Sequence, residues 1–162
     1  MRVVVADASP INYLLLIDCV DLLRVLYTRI VIPHEVFAEL TADGAPPQNA
    51  SWIRTHPAWI EVQAVPVEVP LRFEINESDL DAGELAAIRI ALADADSLLL
   101  IDETAGRAVA SRLGVANTGT LGVLLAGARA GLVDLQASLH KLRATNFRIS
   151  QSLIDKLLSE AL

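Results

Sequence analysis

Short apolar runs separated by helix-like segments constrain this chain more than any other feature of its sequence. Three runs rich in valine, isoleucine and leucine occupy residues 3–6, 29–32 and 97–101. Runs of this length are typical of strands buried on both faces, as in a parallel sheet. Residues 60–65 mostly alternate between apolar and polar, as a half-exposed strand does, and residues 115–118 are a further short strand.

The segments between these strands carry apolar residues at helical spacing. The predicted helices cover residues 10–26 with one break, 34–40, a few residues from 52 onward, 79–93, 107–113, 121–130, 135–145 and 151–161. Four residues are predicted helix caps: Ser9, Ser78, Asp134 and Ser150. The proline-containing stretches 41–48 and 66–78 are predicted loops. Strands that alternate with helices predict an α/β fold, with a mainly parallel sheet covered by helices on both faces.

The length of 162 residues predicts a single domain over residues 1–162. The single cysteine, Cys19, excludes an intramolecular disulfide and a multi-cysteine zinc site, which favours a reducing compartment. No charge-free apolar stretch reaches the roughly 18 residues that a membrane helix needs. We therefore expect a cytoplasmic protein without a membrane partner.

The charge balance narrows the function further. The chain has 20 Asp and Glu against 13 Lys and Arg, for a net charge of −7. This balance argues against a protein that holds nucleic acid by bulk positive charge. It remains compatible with a metal site lined by carboxylates.

Acidic residues follow two of the predicted strands directly. Asp7 comes after the first strand, and Asp102 and Glu103 come after the strand at 97–101. The carboxyl ends of parallel strands meet at one edge of a sheet, where sites form. Carboxylates brought together there repel each other unless a divalent cation neutralises them. Oxygen ligands alone suit Mg²⁺ or Mn²⁺ rather than zinc.

Two predicted helices add further acids. Glu39 lies late in the helix at 34–40, and Asp81 and Glu84 share a face of the helix at 79–93. Gly83 between them suggests a close approach of another backbone or a ligand, or simply a bend. Each acid also has a plainer interpretation. Asp7 would then cap a helix, Glu39 would be a solvated surface acid, and Asp81 a charge favoured by the helix dipole.

Five segments in fixed order carry a resemblance to a known family. They are Val-Val-Ala-Asp7-Ala-Ser9-Pro10, residues 32–40, residues 80–92, Leu99-Leu-Ile-Asp102-Glu103 with Gly106-Arg107, and Gly119-Thr120-Leu121-Gly122. With these spacings the chain resembles the PIN-domain nucleases, and within them the VapC-type toxins. The resemblance covers nearly the whole chain. It implies a three-layer α/β/α sandwich and a metal-dependent nuclease site of three or four acids.

The resemblance also implies which residues act. The family's acids fall on Asp7, Glu39, Glu84 and Asp102, with Glu103 as the competing position for the last. Glu84 stands where toxin relatives usually have aspartate. One or two Mg²⁺ or Mn²⁺ ions bound by Asp7, Glu84 and Asp102 (or Glu103) would activate a water for hydrolysis of an RNA phosphodiester bond. Glu39 would hold a metal through water or orient the nucleophile.

Several residues and partners are expected around these acids. Ser9 would donate a hydrogen bond to Asp7 or to the phosphate, and Arg107 would contact the nucleic-acid backbone or be an ordinary surface arginine. The basic stretch at 140–148 is interpreted as a solvated helix face, with contact to RNA phosphates as the alternative. The resemblance implies a homodimer held by a small antitoxin. The leucines at 11–26 and 121–142 belong either to the core or to a dimer face.

Other classes of protein remain as alternatives. An aspartyl-phosphate phosphotransferase needs a second carboxylate two residues after the first, where this chain has Ser9. A receiver domain needs paired acids near its start and a lysine after a late strand, but the only lysines are Lys141 and Lys156. A catalytically silent PIN-fold binding module, acting through a protein or RNA partner, is the alternative without enzymatic activity.

Overall fold

A five-stranded parallel sheet lies at the centre of this protein. The computed structural model describes residues 2–66 and 79–162. The strands are β1 (Val4–Ala6), β2 (Ile30–Pro33), β3 (Ile60–Gln63), β4 (Leu98–Leu100) and β5 (Ala116–Thr118). Their order across the sheet is β3-β2-β1-β4-β5, and every neighbouring pair is parallel. The predicted parallel sheet is therefore confirmed, and all five strands end at the same edge.

The strand β1 lies at the centre of the sheet, between β2 and β4. Val5 pairs with Val31 of β2 on one side and with Leu99 of β4 on the other. Since β1 is central and buried, the residue that follows it emerges in the middle of the carboxyl edge. β4 is the neighbouring strand and ends at the same edge. Residues 7 and 102 therefore come together although they lie far apart in sequence.

Helices cover both faces of the sheet. The helices of the described residues are α1 (Ala8–Leu16), α2 (Asp21–Tyr27), α3 (His34–Leu40), α4 (Pro47–Arg54), α5 (Ala82–Leu92), α6 (Thr104–Arg112), α7 (Thr120–Arg129), α8 (Leu135–Arg143) and α9 (Gln151–Glu160). Two separate apolar cores result, because alternate residues of a strand point to opposite faces. Val4 and Ala6 belong to one core and Val5 to the other. This is the expected three-layer α/β/α arrangement.

Several helices begin at residues other than those predicted. α1 begins at Ala8, so Ser9 lies inside its first turn and does not cap it. α5 begins at Ala82 rather than at residue 79, and its cap is Asp81. The predicted cap Ser78 and residues 67–78 of the predicted loop lie outside the described residues.

Two further helices also begin at residues other than those predicted. α4 begins at Pro47, within the predicted loop, because proline is favoured in the first helical turn. α6 begins three residues earlier than predicted, at Thr104. The caps of the last two helices are confirmed, since the Asp134 side chain accepts from the Ala137 N–H and the Ser150 side chain accepts from the Leu153 N–H. Within residues 2–66 and 79–162, no helix is long and apolar enough to cross a membrane.

Candidate metal centre at the carboxyl edge of the sheet

Three carboxylates converge beside the end of β1. Asp7 directly follows β1, Glu39 lies in the last turn of α3, and Asp81 directly precedes α5. One oxygen of each lies within 4.8 Å of the others. We refer to Asp7, Glu39 and Asp81 as the acid triad. Three negative groups this close oppose each other strongly unless protons or a cation neutralise them.

Gly83 permits the close approach of α5 to α3. A Cβ atom at this position would lie 3.0 Å from Oε2 of Glu39, 3.3 Å from Val36 and 3.4 Å from Oδ1 of Asp7. The absence of a side chain therefore leaves room for two carboxylates of the triad. The neighbours that approach Gly83 are therefore side chains, whereas the sequence suggested a backbone, a ligand or a bend.

Asp7 is the buried member of the triad. Its residue is 3% exposed, and its Oδ1 is buried without a hydrogen-bond partner among the described residues. Burial raises the pKa of Asp7 to about 7, against the opposing effect of the Ala8 N–H. The negative charges of Asp81 and Glu39 raise this pKa further. Although Asp7 occupies the N-cap position of α1, its side chain makes no capping hydrogen bond, so capping does not explain it.

Glu84 lies beside the triad, buried on the first turn of α5. It is 6% exposed, and burial raises the pKa of its carboxyl to about 8, with further contributions from Asp81 and Asp7. Burial likewise raises the pKa of Glu39, followed by the effect of Asp81. The negative charge of Asp81 therefore disfavours the ionisation of all three neighbouring acids, Asp7, Glu39 and Glu84.

Asp102 is held by three protein donors. Its Oδ1 accepts from the backbone N–H of Thr120 at 2.7 Å, and its Oδ2 accepts from the Ser9 and Thr120 hydroxyls, each at 2.8 Å. A Cβ on Gly119 would lie 2.5 Å from Oδ1, so glycine is needed for this approach. A carboxylate has about four lone-pair positions, which leaves Asp102 one position for a further contact.

The partners of Asp102 differ from the sequence expectations. Ser9 donates to Asp102 and not to Asp7, because β1 and β4 are neighbours and their ends are adjacent. Thr120 also contacts Asp102, which the sequence does not predict. The signal for it is the Gly119-Thr120 pair after the last strand, which is interpreted as a helix start and as part of the family resemblance, with no role assigned to Thr120.

Glu103 and Arg107 lie further out. Glu103 is exposed and lines the same cleft as the triad. Arg107 is exposed on α6, where its Nε donates to Asn117 at 3.4 Å. In the described part of the chain, Arg107 is not among the residues that line this cleft.

The acids line a cleft with a volume of about 480 Å³. Its acidic lining residues are Asp7, Glu39, Asp81, Glu84 and Glu103. Among the described residues, no lysine, arginine or histidine lines it. The described part of the cleft therefore presents concentrated negative charge without a cation from the described residues to balance it.

The donor set fits a divalent cation. All the donors are oxygens, which is the ligand set of Mg²⁺ and Mn²⁺. Oδ1 of Asp7 is a buried acceptor without a protein donor in the described ranges, and such an atom is costly unless something else contacts it. A cation bound by the triad would satisfy this atom and offset the mutual repulsion of the acids.

The comparisons with known proteins agree with this geometry. The model of the DUF3368 family, described as a PIN domain, matches residues 3–162. Neither a curated protein nor a solved structure matches the chain. The family match covers all five strands and every acid of the cleft. The chain therefore belongs to the PIN-domain family, whose fold is that of a nuclease.

Proposed function

We propose that this protein is a metal-dependent endoribonuclease that hydrolyses RNA phosphodiester bonds with Mg²⁺ or Mn²⁺. The observation that carries the proposal is the buried, unpartnered Oδ1 of Asp7 within 4.8 Å of the Glu39 and Asp81 carboxylates. Membership of the PIN-domain family supports nuclease chemistry at this edge of the sheet. The cut strand is RNA in this proposal, because the sequence resembles the toxin ribonucleases.

The triad would hold the cation, with Asp7 as its central ligand. Glu84, Asp102 and Glu103 remain proposed ligands, since Glu84 and Glu103 line the cleft and Asp102 keeps one free lone-pair position. When bound, a divalent cation lowers the pKa of a coordinated water and stabilises charge on the phosphate.

The protein's own residues position this site. Thr120 and Ser9 donate three hydrogen bonds to the Asp102 carboxylate, which hold it in one orientation. Asp81 is fixed by the hydrogen bond from the Glu84 N–H at 2.8 Å. Glu39, exposed at the mouth of the cleft, is placed to orient a water molecule beside the triad. A substrate phosphate would then meet carboxylates held in place before binding.

The test is cleavage of a labelled single-stranded RNA by the purified chain with Mg²⁺ or Mn²⁺. We expect cleavage by the wild type, none after chelation, and a loss of at least a hundred-fold in Asp7→Asn. The matched control is Asp21→Asn, an exposed acid of α2 that does not line the described cleft. It should cleave like the wild type.

Calorimetry with Mn²⁺ separates binding from cleavage. The wild type should bind Mn²⁺, and Asp7→Asn should bind it at least ten times more weakly. Equal cleavage by wild type and Asp7→Asn would mean that a contaminant cuts the RNA and would refute the catalytic proposal. Mn²⁺ binding without any cleavage would favour the silent PIN-fold binding module instead.

We propose further that the enzyme is the toxin, or a toxin-like member, of a toxin–antitoxin pair and acts as a homodimer. The similarity to VapC-type toxins supports this proposal. Induced expression in bacteria should arrest growth with the wild type and not with Asp7→Asn. Growth arrest by both proteins, or by neither, would contradict the toxin role.

A further inference from the structure

A second groove adjoins the acid cleft. Its volume is about 510 Å³, and it extends from Asp102 to the segment that follows α8. The groove and the cleft share four lining residues: Ser9, Tyr13, Glu103 and Asn146. The two cavities are therefore adjacent at the carboxyl edge of the sheet.

The outer wall of this groove is built by ordered contacts. The Tyr13 hydroxyl donates to Oδ1 of Asn146 at 2.7 Å, and the Tyr13 and Phe147 rings form an edge-to-face pair with centroids 4.9 Å apart. The Phe147 N–H donates to the Thr145 hydroxyl, which itself donates to the Leu142 carbonyl at 2.6 Å. The segment after α8 is thus fixed against α1, with its aromatic pair beside the groove.

The groove also supplies a positive charge, which none of the described residues that line the cleft does. Arg148 lines the groove and is exposed. Of the described residues that line either cavity, it alone is a cation. It also makes no ion pair within the described ranges. An RNA strand that reaches the acids must offset their repulsion, and Arg148 is the adjacent group that attracts a phosphate.

We propose that Tyr13, Phe147 and Arg148 form a subsite for one unpaired RNA nucleotide next to the phosphate that is cut. Its base packs against the aromatic pair, and its phosphate binds Arg148. This inference rests on the proposed RNA-cleaving function and identifies the form of the RNA. A base in a duplex is stacked and paired, so it does not reach the rings, whereas an unpaired base does.

The first experiment measures binding of a fluorescein-labelled single-stranded RNA decamer in Mg²⁺. All proteins carry Asp7→Asn, so that binding is read without cleavage. In this background, Arg148→Gln should lower the affinity several-fold and reduce the slope of log affinity against log salt by about 0.7. The matched control is Arg112→Gln, an exposed arginine of α6 that makes no hydrogen bond or ion pair within residues 2–66 and 79–162. It should leave both quantities unchanged.

The second experiment tests the aromatic pair. In the same background, Phe147→Leu keeps apolar packing but removes the ring, and should weaken binding of the single strand about five-fold or more. Binding of a blunt duplex of the same sequence should not change. A thermal unfolding curve checks that Phe147→Leu is folded. Since Arg148 is exposed, Arg148→Gln decides the proposal even if the leucine variant unfolds.

The outcomes separate this proposal from the proposed function. Equal affinities and salt slopes for Arg148→Gln and Arg112→Gln would overturn the subsite, as would failure of the background protein to bind the RNA. If binding behaves as expected but the wild-type chain cuts no RNA with Mg²⁺ or Mn²⁺, the subsite stands and the catalytic proposal fails.

Discussion

Asp81 acts in the helix and in the acid triad at the same time. Its carboxylate caps α5 by accepting from the Glu84 N–H, and an oxygen of the same carboxylate lies within 4.8 Å of Asp7 and Glu39. The sequence pattern places Asp81 inside the predicted helix, as a further acid or as a charge favoured by the helix dipole, and so predicts neither the cap nor the triad. Of the two acids on this turn, the family resemblance pointed to Glu84, which is the more buried one.

Asp81→Asn is expected to remove the charge without removing the cap. Asparagine caps helices as well as aspartate does, so the melting temperature should stay close to that of the wild type. The affinity for Mn²⁺, measured by calorimetry, should fall at least ten-fold. Asp79→Asn, two residues earlier and exposed, is the control and should bind Mn²⁺ normally. Unchanged affinity in Asp81→Asn would exclude this residue from the metal site.

Thr120→Val is expected to destabilise the protein by loss of one hydrogen bond to a carboxylate. Thr120 is 0% exposed, and its hydroxyl donates to Asp102. Hydrogen bonds to charged groups contribute about 1.5–3 kcal/mol, so the free energy of unfolding in urea should fall by about that amount. Thr120→Ser keeps the hydroxyl donor, so its free energy of unfolding should fall by less than that of Thr120→Val. A valine variant as stable as the wild type would contradict this assignment.

At the scale of secondary-structure elements, the packing of α5 against α3 sets the distances between the three carboxylates of the triad. Gly83, on the first turn of α5, faces Glu39 and Val36 of α3. Because this position has no side chain, α5 packs close enough to α3 for Glu39 and Asp81 to lie beside the Asp7 carboxylate. The distance between carboxylates is therefore a property of two helices and one strand end.

Gly83→Ala is expected to weaken metal binding more than it weakens folding. The new Cβ would lie 3.0 Å from Glu39 Oε2, so that carboxylate must move. Alanine gains up to about 1 kcal/mol in helix propensity, which offsets the crowding of Val36. Calorimetry should show a lower Mn²⁺ affinity at a nearly unchanged melting temperature.

Ala82→Gly provides the matched control for this substitution. Ala82 is exposed at the first position of the same helix. Its replacement by glycine should lower the melting temperature and leave Mn²⁺ affinity unchanged. If Gly83→Ala bound Mn²⁺ as tightly as the wild type, metal binding by the triad would not depend on the close packing of α5 against α3.

At the scale of the whole molecule, an acidic chain concentrates part of its charge in one cleft. The net charge is −7, yet the acids of the cleft come from the ends of β1 and β4 and from the helices α3 and α5. The pKa values of Asp7 and Glu84 are about 7 and about 8, so the folded protein binds protons that the unfolded chain releases. Folding therefore carries an electrostatic cost at neutral pH that a cation would offset.

The metal-free protein is expected to lose stability as pH rises from 5.5 to 7.5. In this range the native state binds more protons than the unfolded state, so the free energy of unfolding falls with pH. One proton held by the coupled pair Asp7 and Glu84 corresponds to about 1.4 kcal/mol per pH unit. Melting temperatures in EDTA should therefore drop by several degrees between these pH values.

Added Mn²⁺ should raise the melting temperature more at pH 7.5 than at pH 5.5, because protons compete with the cation for the same carboxylates. The control is the double variant Asp7→Asn with Glu84→Gln, which removes both groups. Its melting temperature should vary less with pH and respond little to Mn²⁺. A wild-type melting temperature that rises with pH in EDTA would contradict the assignment.

The sequence by itself determined the strands, most of the helices and the family. Apolar runs and caps are local signals, so β1 and β4 were predicted within one or two residues, and α3 (His34–Leu40) at both ends. The predicted start of α5 was three residues too early, since Asp81 caps the helix instead of lying within it, and the predicted start of α6 was three residues too late. The order and spacing of five sequence segments were sufficient for the family resemblance.

Only the tertiary structure decided which acids meet. The strand order places β1 beside β4, so Ser9 donates to Asp102 and not to Asp7. The close packing of α5 on α3 brings Asp81 to Asp7 and Glu39, while Thr120 reaches Asp102 from the start of α7. These contacts join residues distant in sequence, and their geometry depends on sheet order and helix spacing, which no local pattern encodes.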